Sequence, residues 1–101
     1  MQDEVGRDHV VRGLREQISD NDRLIVEAVN KRLQLVARLR DYKASRGYEF
    51  VDQAREDWMT AYLLRANRGP LSSEGLRELY GALLELTKRE IVGETEREQA
   101  S

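Results

Sequence analysis

The sequence has no cysteine, one proline and one histidine among its 101 residues. Without cysteine the chain can form no disulfide framework, no thiolate nucleophile and no cysteine-ligated metal site. One histidine, His9, is too few for a histidine-rich zinc site, and we expect it to be exposed near the start of the chain. The residue types therefore give no reason to expect a metal centre.

Long apolar segments and a strong net charge are also missing. No apolar run approaches the ~18 residues of a membrane span, and the N-terminus lacks the short apolar stretch of a secretion signal. The formal net charge of −2 gives no electrostatic reason to expect nucleic acid or an anionic membrane as partner. We therefore expect a single-domain cytoplasmic protein.

Helix breakers are absent from the whole segment between Leu14 and Arg46. This segment is predicted to form one long helix that begins near Asp8, a plausible N-cap, and stops at Gly47. Its apolar residues recur at spacings of three, four and seven, which is typical of an amphipathic helix. They include Val11, Leu14, Ile18, Ile25, Val29, Val36 and Leu39.

Two shorter helices are predicted to follow the long one. The second should run from about Asp52 to Asn67, where a turn ending in Gly69-Pro70 stops it. Its inner face should carry Ala54, Trp58, Ala61 and Tyr62. The third should be capped by Ser72 and end at Gly93, with an apolar stripe made of Leu76, Leu79, Tyr80, Leu83 and Leu84. We interpret Trp58, Tyr62 and Tyr80 as packing residues.

The predicted domain is all-α and spans residues 8–92, between flexible ends at residues 1–7 and 93–101. The first of its three helices would be about 55 Å long at ~1.5 Å per residue. A compact monomer of this size has a radius of gyration of only about 13 Å. The long helix must therefore extend past its own partners, and its apolar stripe needs another chain. An intertwined helical homodimer, with the two long helices packed together, is the simplest arrangement.

Several charged residues are predicted to converge. Lys43 follows Arg32 by eleven residues, which is three helical turns plus about 20°, so both point the same way. Asp52, Arg55 and Glu56 cluster at the start of the second helix, just after the chain turns back. Two cations beside a helix N-terminus form a reasonable pocket for a small polyanion.

Arg15 does not join this set within one chain. It lies roughly 25 Å along the helix from Arg32 and about 100° around it. In an antiparallel dimer, however, it could reach the ligand that the other chain holds. The alternative is that Arg15 is a surface residue beside Glu16.

The ordered set of motifs resembles the AroQ class of chorismate mutases. That family has an LRxxI segment followed by Asp, then an Arg with an aliphatic stretch, a Lys eleven residues later, and DxxRE at the second helix. The resemblance covers about residues 8–92, and every spacing fits without a gap. The matching residues are Leu14-Arg15-Glu16-Gln17-Ile18, Asp22, Lys31-Arg32-Leu33-Gln34-Leu35-Val36, Lys43, and Val51-Asp52-Gln53-Ala54-Arg55-Glu56.

The resemblance implies a role for each matching residue. Arg15 would cross the dimer to bind a substrate carboxylate, and Arg32 would bind a carboxylate from the same chain. Lys43 would donate to the ether oxygen of the breaking C–O bond. A group of residues would surround the ring hydroxyl and a carboxylate: Asp52, Arg55 and Glu56. Thr87 matches a Ser or Thr position on the last helix.

Two positions depart from the family pattern. Where the family often has a small residue, three before the lysine, this chain has Arg40. Four residues after the Ser/Thr position the family has Gln, or Glu in some eukaryotic members, facing the ether oxygen, whereas this chain has Ile91. A slight change of helix register would let Glu90 take that catalytic role. The missing Gln also makes an activating partner enzyme worth testing, since some bacterial single-domain members depend on one.

The activity that the resemblance implies is the rearrangement of chorismate to prephenate in phenylalanine and tyrosine biosynthesis. The reaction is pericyclic and has one substrate, and it needs no metal, cofactor or covalent intermediate. Two other functions stay open at this point. An isochorismate pyruvate lyase has a similar site on the same fold, and a non-catalytic helical dimerisation module would leave Arg15, Arg32 and Lys43 pointing to solvent.

Overall fold

The computed structural model describes the backbone of residues 2–100 and the side chains of residues 5–91. Residues 2–100 form four helices: α1 (Gln2–Arg7), α2 (His9–Ser45), α3 (Gln53–Ala66) and α4 (Ser73–Ala100). The predicted all-α class is confirmed, and no strand occurs in residues 2–100. The short α1 is one helix more than predicted, and the flexibility expected of residues 1–7 stays a prediction. No helix in the described part of the chain is long and apolar enough to cross a membrane.

Both predicted ends of the long helix are confirmed. The Asp8 carboxylate accepts hydrogen bonds from the backbone N–H groups of Val10 (2.9 Å) and Val11 (3.2 Å), which satisfies donors of the first turn of α2. At the other end Gly47 adopts a φ of 71°, a left-handed conformation that glycine accepts without strain. The Tyr48 N–H then donates to the carbonyl of Lys43 at 2.8 Å. This motif stops α2 and places Lys43 in its last turn.

The bounds of α3 agree with the sequence prediction, but the face of α3 that was predicted to be buried is wrong. Asp52 caps the N-terminal end of α3, since its carboxylate accepts from the backbone N–H of Arg55 at 3.1 Å. At the C-terminal end, the backbone N–H of Asn67 donates to the carbonyl oxygen of Leu63. The four residues predicted to face inward are all exposed: Ala54, Trp58, Ala61 and Tyr62. The half-buried residues of α3 are Glu56, Met59, Thr60, Leu63 and Leu64. The rings of Trp58 and Tyr62 stack with 5.4 Å between their centroids. Each ring therefore covers part of the other from water, independently of any second helix.

The helix α4 provides the buried core. Ser72 caps it by accepting from the Gly75 N–H at 3.0 Å, as predicted. Its buried residues are spaced by four, seven and four, which places them on one face, and α3 packs against α4. Among the described side chains of α4 they are Leu76, Tyr80, Thr87 and Ile91. Tyr80 is thus a core residue, as expected. Leu79 was wrongly placed in this stripe, because its position lies about 90° from the centre of the buried face.

The predicted end of α4 at Gly93 is also wrong. The helix continues to Ala100. A glycine inside a helix costs only about 1 kcal/mol relative to alanine, and the following residues up to Ala100 include no proline. The side chains of the predicted tail, residues 93–101, lie outside the described residues.

Contacts divide the chain into two units, Met1–Gln34 and Leu35–Ser101, with the boundary inside α2. The first unit consists of α1 and most of α2, and α2 has no buried residue along its whole length. Its exposed apolar residues include Val10, Leu14, Ile18 and Ile25. The second unit contains all the buried residues named above for α4.

Candidate active site

Two of the predicted site residues, Arg15 and Arg32, belong to the first unit. Arg15 is exposed on α2, whereas Arg32 is half-buried. Both lie on the helix predicted for them, which is continuous from His9 to Ser45. The remaining predicted residues belong to the second unit.

Lys43 is held at the C-terminal end of α2. Its side chain is half-buried, and its Nζ donates to the carbonyl oxygen of Phe50 at 3.3 Å, across the turn that follows the helix. A cation is favourable at this end of a helix, because the last carbonyl groups carry a partial negative charge. The turn therefore orients the Lys43 ammonium group through the Phe50 carbonyl oxygen.

The N-terminus of α3 brings three predicted residues together. Asp52 is engaged as the N-cap. The Arg55 guanidinium lies over the Trp58 ring at 4.6 Å from its centroid, a cation–π contact. The Glu56 carboxylate is half-buried and lies 3.6 Å from Lys88 Nζ on α4. Lys88 was not foreseen, since a lysine on a charged helix gives no sequence signal for a contact 32 positions away.

The third helix predicted from the sequence corresponds to α4, which carries the predicted site residue Thr87. This side chain is only 5% exposed, and its Oγ1 donates to the Leu83 carbonyl oxygen at 2.7 Å, one turn earlier on the same helix. One turn later, Ile91 is 3% exposed, whereas Glu90 is exposed. In the register that the structure shows, Ile91 therefore occupies the buried position for which the resemblance implies a hydrogen-bond donor.

Arg40, which the sequence marked only as a departure from the family pattern, contacts α4. Its Nη1 donates to the Ile91 carbonyl oxygen at 3.2 Å, joining residues 51 positions apart. Its Nη2 also pairs with the Asp41 carboxylate at 3.0 Å. The side chain of Arg40 is only 19% exposed. The sequence could not reveal this contact, because it depends on where α4 lies beside the last turns of α2.

These contacts assemble one end of the second unit. Arg40 links α2 to α4 near Ile91, and the Glu56–Lys88 pair links α3 to α4 one turn earlier. Lys43, Glu56 and Thr87 therefore come from three elements that these contacts hold together. Cations, a carboxylate and a hydroxyl are the types of group that would bind a small anion carrying a hydroxyl group.

A shallow depression elsewhere on α4 contains none of the predicted site residues. It is lined by Arg77, Glu78, Gly81, Ala82, Glu85 and Arg89. All six belong to one helix, so the depression is part of an open helix surface rather than an enclosed cavity. We therefore do not assign the site to it.

Comparison with known proteins identifies the fold and the family of the chain. The solved structure of a chorismate mutase (Form I) from Thermus thermophilus is similar, with a TM-score of 0.76 and 26% sequence identity. The likeness covers 78% of this chain and 99% of that one. No curated protein matches the chain significantly. A family model described as chorismate mutase type II matches residues 14–91, which is more than half of the chain. We conclude that the chain belongs to the chorismate mutase type II family.

Proposed function

We propose that this chain rearranges chorismate to prephenate in an active site that a second copy of the chain completes. The observation that carries the activity is the family match over residues 14–91, which includes every predicted site residue from Arg15 to Glu90. The similar Thermus thermophilus structure is itself a chorismate mutase and supports the same activity. The enzyme is accordingly an isomerase that acts in phenylalanine and tyrosine biosynthesis.

The reaction sets two physical tasks for the site. One C–O bond breaks and one C–C bond forms within a single molecule, so no group leaves and no proton is consumed. The site must hold a flexible dicarboxylate in its folded, reactive conformer. The substrate then loses its conformational entropy on binding rather than on the way to the transition state, and the rate increases. It must also place positive charge where the ether oxygen gains negative charge. Arginine and lysine suit both tasks, because they stay charged and donate several hydrogen bonds.

We assign the second task to Lys43. Its ammonium group is half-buried at the end of α2 and is already oriented by the Phe50 carbonyl oxygen. A substrate ether oxygen would replace or share that bond. Because the ammonium group is positioned before the substrate arrives, little reorganisation is needed as charge develops.

The substrate carboxylates are assigned to arginines. Arg32 would bind one carboxylate from its own chain, and Arg15 of the partner copy would bind across the interface. Arg55 would contribute at the start of α3, where the Trp58 ring now supports its guanidinium. Arginine forks match carboxylates with two parallel hydrogen bonds, which fixes orientation as well as affinity.

The ring hydroxyl and the remaining polar atoms are assigned to Asp52, Glu56 and Thr87. The Glu56 carboxylate can accept from a hydroxyl group, and its pairing with Lys88 keeps it near α4. The Thr87 hydroxyl is buried on the same helix, so it is oriented in advance. Glu90 remains a predicted catalytic donor, but this role requires α4 to turn by about 100°, since Glu90 is exposed in the described register.

The proposed homodimer rests on the exposed apolar residues of the first unit. Leu14, Ile18 and Ile25 follow one another at four and seven residues, so they form one stripe along α2. All three are more than half exposed. Burying such a side chain fully contributes about 1.5–3 kcal/mol, which favours a second copy of the same stripe as its partner. Such pairing would bring Arg15 of one copy toward the ligand of the other.

We further propose that the enzyme acts in the cytoplasm without a metal or cofactor, and that neither nucleic acid nor membrane is a partner. An activating partner enzyme is a separate proposal. It is tested by adding candidate partner enzymes of the same pathway to the purified chain and measuring turnover. An increase would support it, and unchanged turnover at saturating partner would contradict it.

The test of the activity is a direct assay with purified protein. Chorismate absorbance should fall with time, and the product should be prephenate. Isochorismate assayed in parallel separates the mutase from a pyruvate lyase, which would release pyruvate instead. Absence of turnover of either substrate by folded dimer would contradict the proposed activity and favour a non-catalytic dimerisation module.

A further inference from the structure

Arg40 carries a partly buried charge that the roles assigned so far do not use. Its side chain is 19% exposed, although it lies on a helix that has no buried residue. Two residues earlier on the same helix, Arg38 is exposed. Withdrawing a guanidinium from water costs free energy unless hydrogen bonds and opposite charge compensate for it. A charge kept at such a position therefore calls for an explanation.

The contacts of Arg40 fix the direction of its guanidinium. Nε and Nη2 both interact with the Asp41 carboxylate, at 3.1 and 3.0 Å, and Nη1 donates to the Ile91 carbonyl oxygen at 3.2 Å. The Asp41 side chain is itself 71% exposed, so water screens its charge. These bonds hold the planar group between the last turns of α2 and the part of α4 that follows Thr87.

Arg40 also lies beside Lys43. The two residues are three positions apart on one helix, and residues at that spacing are neighbours, with about 5–6 Å between their Cβ atoms. Both side chains are partly buried. Two cations so close together repel each other in the free protein, and an anionic ligand or a developing negative charge would relieve that repulsion.

Among the described side chains of α4, neither Ile91 nor Glu90 offers a comparable donor. Ile91 is 3% exposed and ends in hydrocarbon. Glu90 is exposed, and a glutamic acid donates only in its protonated form. A donor for substrate at this level therefore comes more readily from α2, where Arg40 is charged at any physiological pH.

We propose that Arg40 is a second cationic donor of the active site and hydrogen-bonds, beside Lys43, the substrate oxygen on which negative charge develops. Arg40 thereby supplies from α2 the donor that Ile91 cannot supply from α4. This inference rests on the proposed function. The proton stays on Arg40 throughout, and the guanidinium only donates hydrogen bonds. Its bonds to Asp41 and Ile91 orient it in advance, which is what makes a donor effective in the transition state.

The test compares Arg40→Ala with the double variant Arg40→Ala/Ile91→Gln, which introduces an amide donor on α4. Arg40→Ala should lower kcat by about 10²–10³, with a smaller change in KM, because the donor acts on charge that develops in the transition state. The double variant should recover at least about tenfold of that loss. Arg38→Ala, which removes an exposed arginine two residues away, is the matched control and should leave kcat unchanged.

A purely structural role for Arg40 gives a different result. The variants would then lose thermal stability, and Ile91→Gln would not recover kcat, which overturns the proposal. If Arg40→Ala does not fold, Arg40→Gln replaces it, since an amide can still donate to the Ile91 carbonyl. Arg40→Gln is made with Ile91 unchanged. If this variant folds and keeps the wild-type kcat/KM, the positive charge of Arg40 is not needed, and the proposal is overturned.

The wild-type protein is assayed first, so that two failures are separated. If the wild-type dimer does not turn over chorismate, both the proposed function and the proposed role of Arg40 are contradicted. If the wild type is active and Arg40→Ala stays within about twofold of it, only the role of Arg40 falls, since a lost transition-state donor costs far more.

Discussion

The two units of the chain differ in how far the apolar residues on their long helices are exposed. In the first unit Ile18 is 59% exposed, whereas in the second unit Ile91 is 3% exposed. Both isoleucines lie on long helices. The second unit buries apolar residues of α4 within one chain, and the first leaves its stripe on α2 uncovered. Helical periodicity thus shows which residues share a face, but it does not show whether the covering surface belongs to the same chain.

Exposure alone does not identify an interface either. Leu79 on α4 is 62% exposed, similar to Ile18. Ile18, however, belongs to a stripe with Leu14 and Ile25, while the helical neighbours of Leu79 on the buried side are already covered. Single exposed apolar residues are normal on protein surfaces, whereas a continuous stripe indicates an interaction site.

The largest effect is expected from Ile18→Glu. A carboxylate in the middle of the stripe would have to be buried in the dimer, which is costly without a partner charge. Light scattering at micromolar concentration should give about twice the chain mass for the wild type and the chain mass for the variant, with loss of mutase activity. Leu79→Glu, at a side chain of similar exposure, is the control and should stay dimeric. A monomeric, fully active wild type would contradict the shared site.

The next largest effect is expected from Lys43→Ala. Removing one donor to developing charge costs about 10²–10³ in rate, so kcat should fall far more than substrate binding weakens. Lys31→Ala, an exposed lysine on the same helix, should behave as the wild type in steady-state kinetics with chorismate. Unchanged turnover of Lys43→Ala would mean that Lys43 is only a helix-end cation.

A mixing experiment tests whether the first unit serves the site of the other copy. Arg15→Ala and Arg32→Ala should each inactivate the homodimer, since each removes a carboxylate contact from both sites. Chains refolded together should form heterodimers in which one of two sites has both arginines. Random pairing makes half of the dimers mixed, so activity should recover to about a quarter of the wild type. Proven heterodimers without activity would place both arginines in one chain's site, or in neither.

The smallest effect is expected from Glu90→Gln. In the described register Glu90 is exposed, so the pH–rate curve should not move between mildly acidic and mildly basic pH. Glu85→Gln, at an exposed glutamate on the same helix, is the control. If α4 instead turns Glu90 into the site, wild-type activity should fall with increasing pH, because only the protonated carboxyl donates. Glu90→Gln would then flatten the curve.

Local signals in the sequence determined most of the helix ends and the placement of Lys43. Asp8, Asp52 and Ser72 each cap the helix predicted for them, and Gly47 ends α2. These features depend on residues within a few positions of each other, so the sequence contains all the information they need. The motif spacings from Arg15 to Glu56 are likewise a property of the chain itself, and they are sufficient to indicate the family.

Only the tertiary structure decided which side of each helix is covered. It exposed Trp58 and Leu79, which the periodicity had placed inside, and it paired Glu56 with Lys88. It also placed the Arg40 guanidinium within hydrogen-bond distance of the Ile91 carbonyl oxygen, a contact between positions 51 residues apart. Burial and long-range hydrogen bonds depend on how helices pack, and one amphipathic pattern is compatible with several packings. The sequence therefore determined most of the helix ends and the residue types of the candidate site, whereas packing determined which residues contact each other.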